Sequence, residues 1–304
     1  MVFRTGALAL LQDTVELWAS RNAFQHAGAL AFYTLFSMAP LVIIAVTVVG
    51  VVLGEDAARG EIAGRMSGLI GPEAAEAVQE AVNRARIREA GILPTIFGLA
   101  ALVFGSTTVF AQLQASLNQF WDVAARPSRS SFLSFLTTRL VSLGLVLIIG
   151  VLLLASVVLS VGVAAVLRFS GDWIPLPALA IRLVDLMTSL LVATVLFAVV
   201  FKTLPDVRLR WYDVWRGALV TALLFVAGQF VISAYLTRMA PASAYGAAGA
   251  LVMVLLWVYY SSLILFFGAA LTRVAIRLRG GRVVPKASAV RVRTEILGEE
   301  RQDT

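Results

Sequence analysis

Residues 245–269 read YGAAGALVMVLLWVYYSSLILFFGA, and no side chain in that stretch carries a charge. As a helix rising about 1.5 Å per residue it outruns the ~30 Å hydrocarbon core of a bilayer. A barrel strand would instead alternate polar and apolar in segments of about ten residues. A backbone that leaves water must satisfy its own N–H and C=O groups, which a continuous helix does and an open strand does not. The stretch therefore reads as a membrane-spanning helix.

Six runs of spanning length emerge on working outward: about 27–53, 92–120, 136–167, 178–201, 214–236 and, around the quoted stretch, 247–272. The third is over-long and is expected to tilt or to extend beyond the bilayer. Composition agrees, since 60% of the 304 residues are hydrophobic and only 14% charged, against about 25% charged in soluble chains. The first 20 residues lack the form of a secretory signal, because Gln12, Asp13 and Glu16 interrupt the apolar run. Leu8, Leu11, Val15 and Trp18 recur there at helical spacing, which predicts an amphipathic helix on the membrane surface. Between the first two spans, Gly71-Pro72 followed by Glu73, Glu76 and Glu80 starts a helix. Its apolar stripe is Ala74, Ala77, Val78, Ala81 and Val82; it either covers the outer mouth of the bundle or serves as a plain connector. The fold class is thus all-α: a polytopic membrane bundle of about six transmembrane helices, with an N-terminal amphipathic helix and a helical outer-side insertion at 54–91. Residues 1–275 form one bundle domain, and 276–304 are expected to be a basic, disordered cytoplasmic tail.

Orientation follows from the arginines. Six spans put both termini on the side of the second–third and fourth–fifth loops. That side holds seventeen basic and nine acidic residues, the other eight basic and nine acidic. Both termini are expected in the cytoplasm of a bacterium, the chain being multi-pass in its inner (plasma) membrane. The net charge of +7 is then topology, and nucleic acid is not expected as a partner. Trp121, Trp211, Tyr212 and Trp215 fall at the cytoplasmic interface and Trp173 at the outer one, where amphipathic rings settle. Of the 25 basic residues only Lys202 and Lys286 are lysine, which reads as the composition of a GC-rich genome.

Catalytic and cofactor chemistry finds no footing. There is no cysteine and a single histidine, His26, so no thiolate nucleophile or metal cluster can be assembled from the usual motifs. No phosphate-binding glycine loop and no Gly-x-Ser-x-Gly elbow appears. The expectation is a non-enzyme without cofactor.

Polar residues inside spans are costly and are the candidates for function. At about 100° per residue, His26, Tyr33, Ser37 and Pro40 share one arc of the first span. Thr108, Gln112, Gln119 and Asp122 share one arc of the second. Gln229 and Ser233 lie a turn apart in the fifth, and Tyr245, Tyr259 and Tyr260 cluster in the sixth. These faces either line a cavity for a polar headgroup or bond helix to helix. Arg182 and Asp185, three apart in the fourth span, form a candidate intramembrane ion pair. Gly268 with Thr272 reads as a packing device.

Three stretches carry a resemblance: RNAFQHAGALAFYTLFSMAPLVIIA (21–45), LNQFWDVAARP (117–127) and YGAAGALVMVLLWVYYSSLILFFGA (245–269), with LPDVRLRWYDVWRGALV (204–220) fitting as well. Together they resemble the YihY/BrkB family of bacterial inner-membrane proteins over about residues 15–275. The family often has an acidic residue after the final Gly-Ala; here Ala270 stands there, so no carboxylate role carries over. The resemblance implies about six spans and a role in the envelope: relatives have been linked to serum resistance or proposed to move lipids or lipopolysaccharide precursors. The family once bore the label ribonuclease BN, a tRNA-processing nuclease, which the absence of metal ligands here argues against. The reading is a protein that transports or flips a lipid or other amphiphilic envelope precursor. The alternative is a non-transporting scaffold for envelope integrity. Expected partners are membrane lipids and an amphiphilic substrate, with homo-oligomers and envelope proteins left open.

Overall fold

The computed structural model describes residues 7–54, 92–126, 178–239 and 241–293, with scattered helical positions between 59 and 80 and between 144 and 155. In chain order these form α1 (Ala7–Ser20), α2 (Ala23–Leu53), α3 (Ile92–Phe120), β1 (Val123–Ala125), α4 (Ala178–Thr203), β2 (Val207–Arg208), α5 (Trp211–Met239), α6 (Pro241–Leu278), β3 (Val284–Pro285) and β4 (Ala289–Arg291). Five of the six apolar runs thus fall on α2 to α6. The run at 136–167 lies outside the described residues apart from its scattered helical positions. Among the described residues, three stretches are long and apolar enough to cross a membrane: Leu186–Thr203, Trp211–Val231 and Leu251–Leu278. Helices α2 and α3 run to 31 and 29 residues.

Helix α2 packs between α3 and α6, α5 between α4 and α6, and α1 along α6. Lipid offers no hydrophobic drive between helices, so close approach of small side chains and van der Waals contact must hold them. The α5–α6 seam follows that rule. A Cβ built on Gly217 would fall inside the van der Waals shell of Thr272 Oγ1, and one on Gly268 inside that of Thr221 Oγ1. Two glycine–threonine pairs therefore interlock reciprocally across the seam. Phe120, Phe201, Leu117, Leu204, Val214 and Phe266 fill the core beside it. Ala270, where the family often carries an acid, is fully buried in that core, so a carboxylate there would have nothing to solvate it.

Helix α1 is tied to α6 more firmly than a free surface helix would be. Ala9 and Thr14 are buried, Trp18 Nε1–H donates to Leu263 O at 3.0 Å, and Asp13 pairs with Arg277 at 2.7 Å. Of its apolar stripe Leu8, Leu11 and Val15 remain exposed, while Trp18 turns inward. In the insertion, Val78 packs with Val254 and Trp257, and Met38, Val42, Ile43 and Met66 pack against them. Ala75 is buried too, whereas Ala74, Ala77, Ala81 and Val82 lie outside the described residues.

The described residues are helical apart from four short strands, two of them in the stretch read from sequence as a disordered tail. Helix α6 runs on to Leu278 and stops at Gly280, whose φ of 72° only glycine adopts freely. Gly281 N–H then closes back onto Ile276 O at 3.0 Å, a Schellman ending. The chain turns back, so that β3 pairs antiparallel with β2 and β4 antiparallel with β1. The reason is backbone satisfaction: the short segments after α3 and α4 present free N–H and C=O groups, which the returning chain meets. Residues 294–304 lie outside the described residues.

Candidate functional site

The strands gather at the end of the bundle where α3, α4 and α6 stop and α2 and α5 begin. Helix α3 ends in LNQFWD, and Asp122 takes the left-handed conformation at φ 52°, as does Asn22 between α1 and α2; short polar side chains tolerate it. The turn aims the Asp122 carboxylate across the bundle end. Oδ1 receives Arg21 Nη2 at 2.6 Å from the α1–α2 junction, and Oδ2 receives Arg273 from α6. Arg273 also donates to Phe120 O, and Val292 N–H to Asp122 O at 2.9 Å. One residue thus joins three helices through its carboxylate and the returning tail through its main-chain carbonyl.

One turn deeper, His26 Nε2 meets Gln119 Oε1 at 3.0 Å. The imidazole stands edge-on to Phe120 and Phe266, which stack with centroids 5.1 Å apart. The first-span and second-span arcs read from the sequence do come together here.

A second cluster lies beside it. Asp206 Oδ2 accepts from Asn118 Nδ2 at 2.9 Å and Gln114 Nε2 at 3.3 Å, and Asp206 N–H donates to Asn118 Oδ1 at 2.8 Å. Lys286 Nζ donates to Thr203 O at 2.9 Å, and Lys202 Nζ to Leu209 O. Burial pushes the Lys286 ammonium below its ordinary range; nearby Asp206 opposes that shift and Lys202 adds to it. Sequence reasoning passed over Asp206, Asn118, Gln114, Arg273 and Lys286 as candidates. Two signals were available: Asn118 and Asp206 lie in the family-like LNQFWD and LPDVRL stretches, and the only two lysines among 25 basic residues both cap carbonyls of the 203–209 turn. A compact ammonium fits a single carbonyl where a planar guanidinium fork does not.

The remaining candidates do not converge. Tyr33 is exposed beside Phe32, and Ser37 is buried with its hydroxyl unpartnered among the described residues. Thr108 bonds back to Phe104 O on its own helix, and Gln112 reaches Ser116 at 3.4 Å. Tyr260 lies flat on Gly228 and donates to Leu224 O at 2.8 Å, so it fastens α6 to α5. Tyr259 is half-buried against the core, and Gln229 is half-exposed on α5. The side chains of Tyr245, Ser233, Arg182 and Asp185 lie outside the described residues, and with them the expected ion pair. A pocket between α2 and the insertion is lined by Val42, Val46, Arg59, Ile62, Met66 and Val78, none of them among the polar site candidates chosen from sequence. Among the described residues no three His, Asp or Glu side chains approach closely enough to hold a metal.

Long apolar helices fastened at one end by partly buried polar pairs define a polytopic helical membrane protein. The chain belongs to the Virulence factor BrkB family, which it matches over residues 14–292. It is 29% identical over 287 residues to a UPF0761 membrane protein of Stenotrophomonas maltophilia, covering 86% of this chain and 64% of that one. It is 28% identical over 281 residues to one of Xanthomonas campestris pv. campestris (90% and 62%) and 27% identical over 283 to one of Rhodospirillum centenum (91% and 60%). The chain therefore spans less than two thirds of the length of these relatives. Their names state a membrane protein and no enzymatic activity. No solved structure matches the chain.

Proposed function

We infer that this protein is a six-span bacterial inner-membrane protein, with both termini in the cytoplasm, that moves an amphiphile such as a phospholipid or a lipid-linked envelope precursor. One observation carries the reading. The polar arc of α2 enters the bundle paired, at His26 with Gln119, and continues to Ser37, whose buried hydroxyl has no partner among the described residues. The two positions lie about 16 Å apart along the helix. A buried hydroxyl without a partner costs about 1–3 kcal/mol, and a passing headgroup offers the missing bond. Aromatic side chains Phe32, Tyr33 and Phe36 are exposed along the same helix, where acyl chains would lie.

The scaffold reading has its own support, because Tyr260 on Leu224 O and Gly228 closes the α5–α6 seam. A translocation assay separates the two. The purified chain is reconstituted in vesicles with a fluorescent phospholipid whose outer-leaflet fraction is bleached. Movement by the natural chain and its loss in Ser37→Ala and Gln119→Leu variants that still fold is the expected result. No movement by the natural chain overturns the reading in favour of the scaffold, and undiminished movement in both variants shows that the path does not run along the arc of His26, Gln119 and Ser37.

A further inference from the structure

Where α5 begins, arginine gathers without matching acid. Arg208 lies in β2, Arg210 just before α5 and Arg282 just before β3, all three exposed. None of the three has a carboxylate partner among the described residues. Asp213, the acid in the first turn of α5, is already taken by Arg279 at 3.8 Å, and Asp206 by Asn118 and Gln114. The β2–β3 register makes the crowding worse. Arg208 stands opposite Val284, so the pairing draws the segments that carry Arg208, Arg210 and Arg282 to one place. Like charges gathered at one place repel.

The surroundings say what would neutralise them. The spans Leu186–Thr203, Trp211–Val231 and Leu251–Leu278 all end here, so the arginines lie at the depth of lipid headgroups rather than in open water. Trp211 and Trp215 are exposed at that level, as rings that sit between acyl chains and headgroups do. Tyr212 lies between Arg216 and Arg279, whose guanidinium carbons stand 5.5 and 5.3 Å from its ring. Such stacking holds the charged planes in place. The N-terminus of α5 adds its partial positive charge.

We propose that this collar binds the phosphate of an anionic phospholipid and prefers it to a zwitterionic one. The proposal is independent of whether the chain moves lipid, since the collar lies apart from the α2–α3 arc. A zwitterionic headgroup brings its own cation into the cluster, whereas an anionic headgroup brings only the charge that is missing.

The test titrates the full chain in neutral detergent with brominated phosphatidylglycerol or brominated phosphatidylcholine and reads tryptophan quenching. Three arginines, each contributing as basic residues do near anionic lipid, predict a preference for phosphatidylglycerol of about 100-fold. The triple variant Arg208→Gln, Arg210→Gln, Arg282→Gln should lose it, and the corresponding triple lysine variant should keep most of it. Raising salt from about 0.05 to 0.5 M should shrink the preference in the natural chain, a readout that needs no variant to fold. Equal quenching by both lipids, a salt-independent preference, a preference retained in the glutamine variant, or displacement by inorganic phosphate at the lipid's concentration would each overturn the proposal.

Discussion

The two ends of a hydroxyl's choice are visible in two regions of this molecule. Along the long apolar helices, Thr34, Thr108, Thr194, Thr221, Ser262 and Thr272 each bond the carbonyl four residues back on their own helix. At the clasped end, polar groups instead reach across the chain: Asn118 to Asp206, Arg273 to Asp122, His26 to Gln119. In the lipid-embedded seam, a self-satisfied hydroxyl leaves its outer surface apolar and lets helices approach to contact. At the end, the backbone leaves regular helices and needs partners from elsewhere. Shape holds the seam and polar pairing holds the clasp, so the two should fail differently.

The largest effect is expected at the seam. Gly268→Ala puts a methyl group against Thr221 Oγ1 with Phe201 and the Gly217 carbonyl close by, and overpacking of this kind costs about 2–3 kcal/mol. Because Thr221 bonds only its own helix across this contact, Thr221→Ala should cost little alone and restore more than half of the loss in the double variant. Thermal unfolding in detergent measures all three. Additive losses would mean that the helices are not held by this interlock.

At the clasp the expected effect is smaller. Asp122→Asn keeps a residue type at ease in the left-handed conformation and removes only the charge that joins Arg21 and Arg273. The side chains are about a quarter exposed, so the loss should be about 1–2 kcal/mol, between an exposed pair and a buried one. Arg21→Gln should then cost less in the Asp122→Asn background than in the natural chain. If the two losses simply add, Arg21 draws nothing from this carboxylate, and the clasp is held by its strands.

The helices were legible from sequence because bilayer thickness sets a minimum length that apolar runs display directly; the run at 92–120 coincides with α3. The strands were not. Val207–Arg208 and Val284–Pro285 are two residues each, too short for alternation to register, and their pairing joins segments some 77 positions apart. His26 and Gln119, which arc analysis set on the polar faces of two helices, meet in a hydrogen bond because both lie near helix ends at the same end of the bundle. It said nothing of Asp206, which lies between helices where no arc exists. Tyr260 shows the limit in the other direction: its place on a polar arc was legible, but only the bare backbone of Gly228 beneath its ring reveals that it fastens α5 and α6 together.

Lys286 supplies the smallest effect and the cleanest probe of the tail's part in the clasp. Its ammonium reaches Thr203 O while its own N–H holds Asp206 O at 2.9 Å, so the side chain is drawn off water to cap α4. Burial lowers its pKa from the ordinary 10.5, which means that the folded chain sheds this proton more readily than the unfolded one does. Wherever the unfolded state binds more protons, stability rises with pH. The contribution should therefore be least favourable at neutral pH, climb as pH passes the lowered value, and level off above about 10.5. Denaturation of the natural chain and of Lys286→Met, followed side by side from pH 7 to about 11, subtracts the other titrating groups. The difference between the curves should widen in favour of the natural chain as pH rises. Parallel curves would show that Lys286 titrates alike in both states, and that the tail rests on the bundle end through its backbone pairing without drawing this side chain out of water.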